Sequence, residues 1–195
     1  DGGVASAKSS SGINFKLELS GEALGLSQLL AQEQANAPLL DLTGLSGKTL
    51  TAGYGLTREA SYTSSISFYR VNDISGTVKD PTTGISYAPG DANYGAVAKA
   101  NKVNSLSDLA VGNLQLASGD NLKLNENSYL APMAVVNGVS TFYAFAAANV
   151  DGLAHFQSFG NNIFGLEDQI GGGDKDYDDM IIQINPSSIN PSSLA

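Results

Sequence analysis

The chain has 195 residues and carries 19 acidic side chains against 10 basic ones, which gives a formal charge of −9. This balance argues against nucleic-acid partners and anionic membrane surfaces, because both are bound through basic patches. The chain has no cysteine and a single histidine, His155, so a metal would have to rely on oxygen ligands or on that histidine. No apolar run is long enough to span a bilayer, and we therefore expect no membrane insertion.

The first forty residues contain three predicted elements. Residues 1–12 (DGGVASAKSSSG) are small and polar and are predicted to form a linker. Residues 13–19 (INFKLEL) alternate strictly between apolar and polar side chains, which indicates a half-buried strand. Residues 21–36 have leucines at helical spacing and are followed by Pro38, so one short amino-terminal helix is predicted.

From residue 49 onwards the pattern is typical of short β-strands. Runs of apolar, β-branched and aromatic residues are separated by turn residues such as Gly, Pro, Asn and Asp. The predicted strands cover residues 49–56, 64–71, 129–136, 141–148, 153–159 and 180–184. This organisation predicts an all-β fold, an antiparallel β-sandwich of jelly-roll type, spanning residues 13–185. Residues 186–195, rich in Pro and Ser, are predicted to be a tail.

The most distinctive stretch is GLEDQIGGGDKDYDDMIIQI, residues 165–184, which holds six carboxylates. Like charges this close repel each other, so they need either exposure to water or a bound cation. Asp174, Asp176 and Asp178 follow the D-x-D-x-D spacing that lets three side chains of a tight loop converge on one point. The glycines at 171–173 permit positive φ angles and a sharp turn.

Calcium is the cation that this stretch predicts, since Ca²⁺ takes six to eight hard oxygen ligands, several of them carboxylates. The loop is not an EF-hand, because Asp179 stands where the sharp bend requires glycine and a strand follows instead of a helix. A solvated acidic turn is the alternative. The predicted metal ligands are Glu167, Asp168, Asp174, Asp176, Asp178 and Asp179.

The segment FAAANVDGLAHFQSFGNNIFGLEDQIGGGDKDYDDMIIQI resembles the closing part of the bacterial domain of unknown function 4114 family. Residues 56–98, with Arg-Glu-Ala, Phe-Tyr-Arg-Val and Ala-Pro-Gly-Asp in that order, resemble its middle part, so the resemblance covers about 39–185. It implies a module of a large secreted or surface protein, beside calcium-binding repeats and adhesin domains. The carboxylates that match the family pattern are Glu167, Asp168, Asp174, Asp176 and Asp179, and position 178 is often Asn in the family.

Together these observations predict a non-catalytic calcium-binding module of a secreted bacterial surface or matrix protein. It would act in adhesion or in binding carbohydrate or another cell-surface ligand, with Ca²⁺ stabilising the fold. The chain starts at Asp1 rather than Met, which favours a part of a larger multidomain protein. The alternatives are a purely structural spacer domain and a polysaccharide hydrolase or lyase.

The enzyme is the weaker alternative, because a general acid needs one carboxyl isolated in an apolar pocket, whereas here all six lie on one polar loop. His155 is more typical of a hydrogen-bonded strand histidine than of a metal ligand or a catalytic base. No catalytic residue is therefore predicted.

Overall fold

The structure is a computed structural model that describes residues 4–8, 14–18, 38–44, 49–124 and 127–186. The chain divides into two compact units, residues 1–36 and residues 37–195.

In the first unit, β1 (Val4–Lys8) pairs antiparallel with β2 (Asn14–Glu18). Strand β2 confirms the strand predicted at residues 13–19, whereas β1 lies in the range predicted to be a linker. The run from Val4 to Lys8 holds mostly small residues of low β-propensity, so pairing with β2 rather than propensity makes it a strand. The helix predicted at residues 21–36 lies outside the described residues.

The second unit contains two five-stranded antiparallel sheets within the described residues. The first sheet consists of β3 (Leu40–Asp41), β5 (Ser64–Val71), β8 (Leu109–Ala110), β10 (Tyr129–Val136) and β11 (Ser140–Tyr143). Its strand order is β11-β10-β5-β8, with β3 also paired to β10. The second sheet consists of β4 (Leu50–Arg58), β9 (Gln115–Leu124), β12 (Phe156–Gly160), β13 (Ile163–Leu166) and β14 (Met180–Pro186), in the order β12-β13-β14-β4-β9.

Shorter elements complete this unit. Strand β6 (Val78–Lys79) pairs with β7 (Ser86–Tyr87), helix α1 covers Tyr94–Ala100, and two 3-10 helices cover Asn104–Leu106 and Ala146–Ala148. The run at residues 141–148 was predicted to be one strand, but the strand ends at Tyr143 and the alanines after it form a 3-10 helix. None of the helices in the described part of the chain has the length and hydropathy needed to span a bilayer.

The main core lies between the two sheets and is built from the inward-facing residues of both. Ile66 and Phe68 of β5 are fully buried together with Leu56 of β4 and Ile182 of β14. Phe68 also meets Phe164 of β13 edge to face, with ring centroids 5.6 Å apart. The two sheets therefore form a β-sandwich, which confirms the predicted all-β fold.

Helix α1 covers the other face of the first sheet. Tyr69 of β5 points away from the main core and packs in a second apolar cluster with Tyr94 of α1 and Tyr143 of β11. The three rings meet edge to face in pairs, and the hydroxyl groups of Tyr69 and Tyr94 lie 2.9 Å apart in a hydrogen bond. This face of the sheet is consequently closed by the helix.

The acidic turn connects two neighbouring strands of the second sheet. Strand β13 ends at Leu166 and β14 begins at Met180, and the two pair directly with Leu166 opposite Met180. Residues 167–179 thus form a long loop at the end of these two strands, and the two ends of the loop lie next to each other.

Candidate metal centre

The backbone of the acidic loop is left-handed at several positions. Gly171, Gly172 and Gly173 have φ values of 88°, 81° and 38°, which confirms the positive φ predicted for the three glycines. Lys175 and Tyr177 also adopt positive φ, 63° and 57°, although residues with side chains rarely do so. Such strained backbone is concentrated at functional sites, where the surrounding structure maintains it.

Three carboxylates meet inside this loop. Glu167, Asp174 and Asp176 each offer a carboxylate oxygen, and these oxygens all lie within 4.8 Å of one another. Glu167 has no exposed surface, whereas Asp174 and Asp176 are exposed. The group therefore has one buried carboxylate and an open side towards solvent.

One oxygen of the buried carboxylate has no partner. Oε2 of Glu167 accepts a hydrogen bond from the backbone N–H of Lys175 at 3.0 Å, but Oε1 is buried without a donor. A buried carboxylate oxygen without a donor is costly, because the solvation that it loses is not replaced. Burial and the negative charge of Asp179 raise the pKa of Glu167 to about 7. A cation beside Oε1 would supply the missing interaction.

A second pair of carboxylates lies next to this group. Asp168 is 3% exposed, and its Oδ2 accepts a hydrogen bond from Ser64 Oγ at 3.0 Å. Its backbone N–H donates to Asp179 Oδ2 at 2.8 Å. Burial and the charge of Asp179 raise the pKa of Asp168 to about 6, with Ser64 and Arg58 opposing the shift. Asp168 and Asp179 also line an open cavity of about 480 Å³, shared with Tyr62 among others.

The six predicted ligands thus fall into two sets. The structure brings Glu167, Asp174 and Asp176 together as the group that could hold an ion. Asp178 donates its backbone N–H to Asp176 Oδ1 at 3.3 Å. The ligand roles of all six residues stay predictions, and Asp168, Asp178 and Asp179 lie outside the group of three.

Two residues that the sequence analysis did not place at the site form a hydrogen-bonded chain to the buried Glu167. Nδ1 of His155 lies 2.8 Å from the backbone carbonyl oxygen of Glu167, and Nε2 lies 3.0 Å from Asp151 Oδ2. His155 is therefore buried and hydrogen-bonded, as predicted, but it lies one residue before strand β12 and not within a strand. Asp151 lies four residues before His155, but the stretch between them is not helical, so this spacing was no signal.

The donor set fits a hard divalent cation. All three groups offer carboxylate oxygens, the chain contains no cysteine, and both nitrogens of His155 are engaged elsewhere. Calcium accepts oxygen ligands in irregular geometry and readily keeps water molecules among them, which suits a site with one buried and two exposed carboxylates. The exposed side also leaves room for oxygen atoms of another molecule.

Gly173 gives a direct test of this geometry. A Cβ at Gly173 would collide with the carboxylate of Glu167, so Gly173→Ala is expected to abolish calcium binding measured by isothermal titration calorimetry. Gly138→Ala is the matched control, since φ is also positive there, at 67°, but nothing lies within 4 Å of the added Cβ. Both variants carry roughly 1–2 kcal/mol of backbone strain. Calcium binding by Gly173→Ala at the wild-type affinity would contradict the arrangement.

Comparison with known families identifies the stretch that contains the site. The family model described as a domain of unknown function (DUF4114) matches residues 112–187, which include all six acids of the loop as well as Asp151 and His155. The match confirms the family resemblance for this stretch, while the resemblance of residues 56–98 lies outside it. No curated protein and no solved structure matches the chain.

Proposed function

We propose that the chain, whose residues 112–187 match the DUF4114 family model, is a non-catalytic calcium-binding module of a secreted bacterial surface or matrix protein. In this proposal the module belongs to a larger multidomain chain and acts in adhesion or in binding a ligand such as a carbohydrate. Calcium stabilises its fold.

One observation carries the proposal. Oε1 of Glu167 is buried without a hydrogen-bond partner, and it belongs to the carboxylate that meets Asp174 and Asp176. A solvated acidic turn would instead direct its carboxylates into water, where they are hydrated. Burying one carboxylate against two others is favourable when a cation lies among them.

The position of the loop indicates what the ion would do. Glu167 follows β13 directly, and Asp174 and Asp176 precede β14, so one ion would hold the two ends of the connection together. The segment from Glu167 to Asp179 has six acids and one lysine, a net charge of −5. A divalent cation offsets part of this repulsion, and the free energy of binding is added to the stability of the fold.

The same geometry disfavours a hydrolase or lyase that uses these acids. Glu167 has the raised pKa expected of a general acid, but it has no exposed surface through which a polysaccharide could reach it. The two carboxylates that a substrate could reach, Asp174 and Asp176, are exposed to water.

Isothermal titration calorimetry of the purified chain with calcium chloride tests the ion site. The expected result is saturable binding that is lost in Asp174→Asn and in Asp176→Asn. Asp178→Asn removes the same charge from the same loop outside the group of three: retained binding would confine the ion to that group, and lost binding would make Asp178 a further ligand. An absence of heat in the wild-type chain, after treatment with chelator and dialysis, would contradict the proposal.

A glycan-array screen with calcium and again with EGTA tests the ligand part of the proposal. Binding that requires calcium and is lost in Asp174→Asn would support recognition of sugar hydroxyls at the open side of the ion. Binding that persists in EGTA would place the ligand elsewhere, and no binding would favour a spacer. Turnover of an acidic polysaccharide that is lost in Glu167→Gln would support the enzyme instead.

A further inference from the structure

A chain of hydrogen bonds runs behind the candidate metal centre, from the loop before β12 to the start of the glycine turn. His155 contacts the carbonyl oxygen of Glu167 through Nδ1 and Asp151 Oδ2 through Nε2. Asp151 Oδ2 also accepts the backbone N–H of Gly171 at 2.9 Å. Two side chains outside the acidic loop thus fix the loop at two points.

The direction of these hydrogen bonds follows from the partners. A carbonyl oxygen and a carboxylate oxygen both only accept, so His155 donates from Nδ1 to the carbonyl oxygen of Glu167 and from Nε2 to Asp151 Oδ2. The backbone N–H of Glu167 in turn donates to the carbonyl oxygen of His155 at 2.9 Å, so the two residues are joined twice. The imidazole is fully buried and stacks on Phe142, with centroids 3.7 Å apart and an interplanar angle of 15°. Its orientation is therefore fixed.

Asp151 is anchored just as firmly. Its Oδ1 accepts the backbone N–H of Leu153 at 3.2 Å, while its Oδ2 serves both His155 and Gly171. Burial alone would raise the pKa of Asp151, but these donors hold it down at about 2, so the carboxylate stays charged and retains its partners. Asp151 therefore holds the turn at Gly171 in place through a well-anchored hydrogen bond.

From this geometry we infer that His155 and Asp151 are positioning residues for the cation site, setting its affinity by holding Glu167 and the start of the glycine turn in the binding arrangement. The inference rests on the proposed function, because it concerns the same ion. Neither residue would touch the ion. His155 acts through the backbone of Glu167, and Asp151 acts through Gly171.

The physical reason is preorganisation. The ligands lie on both sides of the glycine turn, with Glu167 before it and Asp174 and Asp176 after it. Without the support, the ion would have to order the turn as well as bind to it, and that loss of conformational entropy would weaken binding. Removing hydrogen-bonded groups behind metal ligands in other proteins costs about 10- to 100-fold in affinity.

A graded set of variants at position 155 tests the inference by calorimetric calcium titration of the full chain. His155→Phe keeps the ring that stacks on Phe142 but removes both hydrogen bonds, and it should weaken calcium binding by about 10- to 100-fold. His155→Asn places an amide N–H near the position of Nδ1, where it can donate to the carbonyl oxygen of Glu167. This variant should recover much of the calcium affinity that His155→Phe loses. Equal affinities for wild type, His155→Phe and His155→Asn would overturn the inference.

Tyr69→Phe is the control for a loss of stability alone. It removes a buried hydrogen bond to Tyr94 in the other apolar cluster, so it should lower the melting temperature without changing the calcium affinity. If Tyr69→Phe weakens calcium binding as much as His155→Phe does, affinity simply follows global stability and the inference is wrong. A wild-type chain that binds no calcium would refute the proposed function itself, which is a distinguishable failure.

Asp151→Asn gives a second test, which stands even if His155→Phe does not fold. The side chain of Asp151 is 13% exposed, and the substitution keeps its shape while removing the charge that binds Gly171 N and His155. We expect weaker calcium binding together with faster hydrogen exchange of the Gly171 amide in EGTA. Because exchange is measured without the ion, unchanged protection of that amide would contradict the support role independently of any calcium measurement.

Discussion

Calcium at about 100 times its Kd is expected to raise the free energy of unfolding by about 2.7 kcal/mol. For a chain of this size the corresponding rise in melting temperature is roughly 5–10 °C. The reason is linkage, since an ion that binds only the folded loop stabilises the folded state. Differential scanning calorimetry with calcium and again with excess EGTA measures the shift.

The controls for this shift come from the same loop. Asp174→Asn and Asp176→Asn should each abolish most of it, because each removes a carboxylate of the group of three. Asp178→Asn should lose the shift only if Asp178 is a further ligand. Magnesium should give a smaller shift, since it requires near-ideal octahedral geometry and loses its water reluctantly. A melting temperature that does not change with calcium would leave a solvated acidic turn as the better description.

Glu167→Gln is expected to have opposite effects with and without calcium. In EGTA at neutral pH the variant should be at least as stable as the wild type, because it removes a buried carboxylate whose Oε1 lacks a donor. With calcium it should lose the whole shift of about 2.7 kcal/mol. Chemical denaturation in calcium and in EGTA measures the free energy of unfolding under both conditions. A variant destabilised in EGTA that keeps the calcium shift would show that Glu167 has a packing role only.

The free energy of unfolding in EGTA should also depend on pH, and the raised pKa of Glu167 sets the direction of that dependence. Folding raises the pKa of Glu167 from 4.5 to about 7, so between these values the unfolded chain releases a proton that the folded chain retains. The contribution of Glu167 to stability in EGTA is therefore fully present below about pH 4.5 and is lost as the pH rises through about 7. Asp168, raised from 3.8 to about 6, adds to this decrease. The difference in unfolding free energy between calcium and EGTA should widen over this window in the wild type, and the EGTA curve of Glu167→Gln should be much flatter than that of the wild type.

The long apolar runs could be read directly as strands. The runs at 64–71 and 129–136 correspond to β5 and β10, and the last predicted strand begins where β14 does. Strand β9 was missed because Gly119, Asp120 and Asn121 in its middle are turn residues, and its pairing with β4 overrides their preference. Helix α1 was missed because it has seven residues and no side-chain cap, and its stability comes from packing on the sheet.

The candidate site, like the fold, was predicted in part. The glycines and the D-x-D-x-D spacing indicated a turn with converging aspartates, and Asp174 and Asp176 do converge. Glu167 was predicted among the ligands, but the sequence did not indicate that it is buried while Asp174 and Asp176 are exposed, because burial depends on how the whole loop packs. Nor could it reveal His155 and Asp151 as supports, because hydrogen bonds between separate segments of the chain have no local pattern.

The place of β14 in its sheet has a consequence for the order of events during synthesis. β14 follows every other described strand along the chain, yet it lies between β13 and β4, so the sheet cannot be completed until this strand has emerged. Until then, the edges of β4 and β13 have no neighbour, and the acidic loop has nothing to close against.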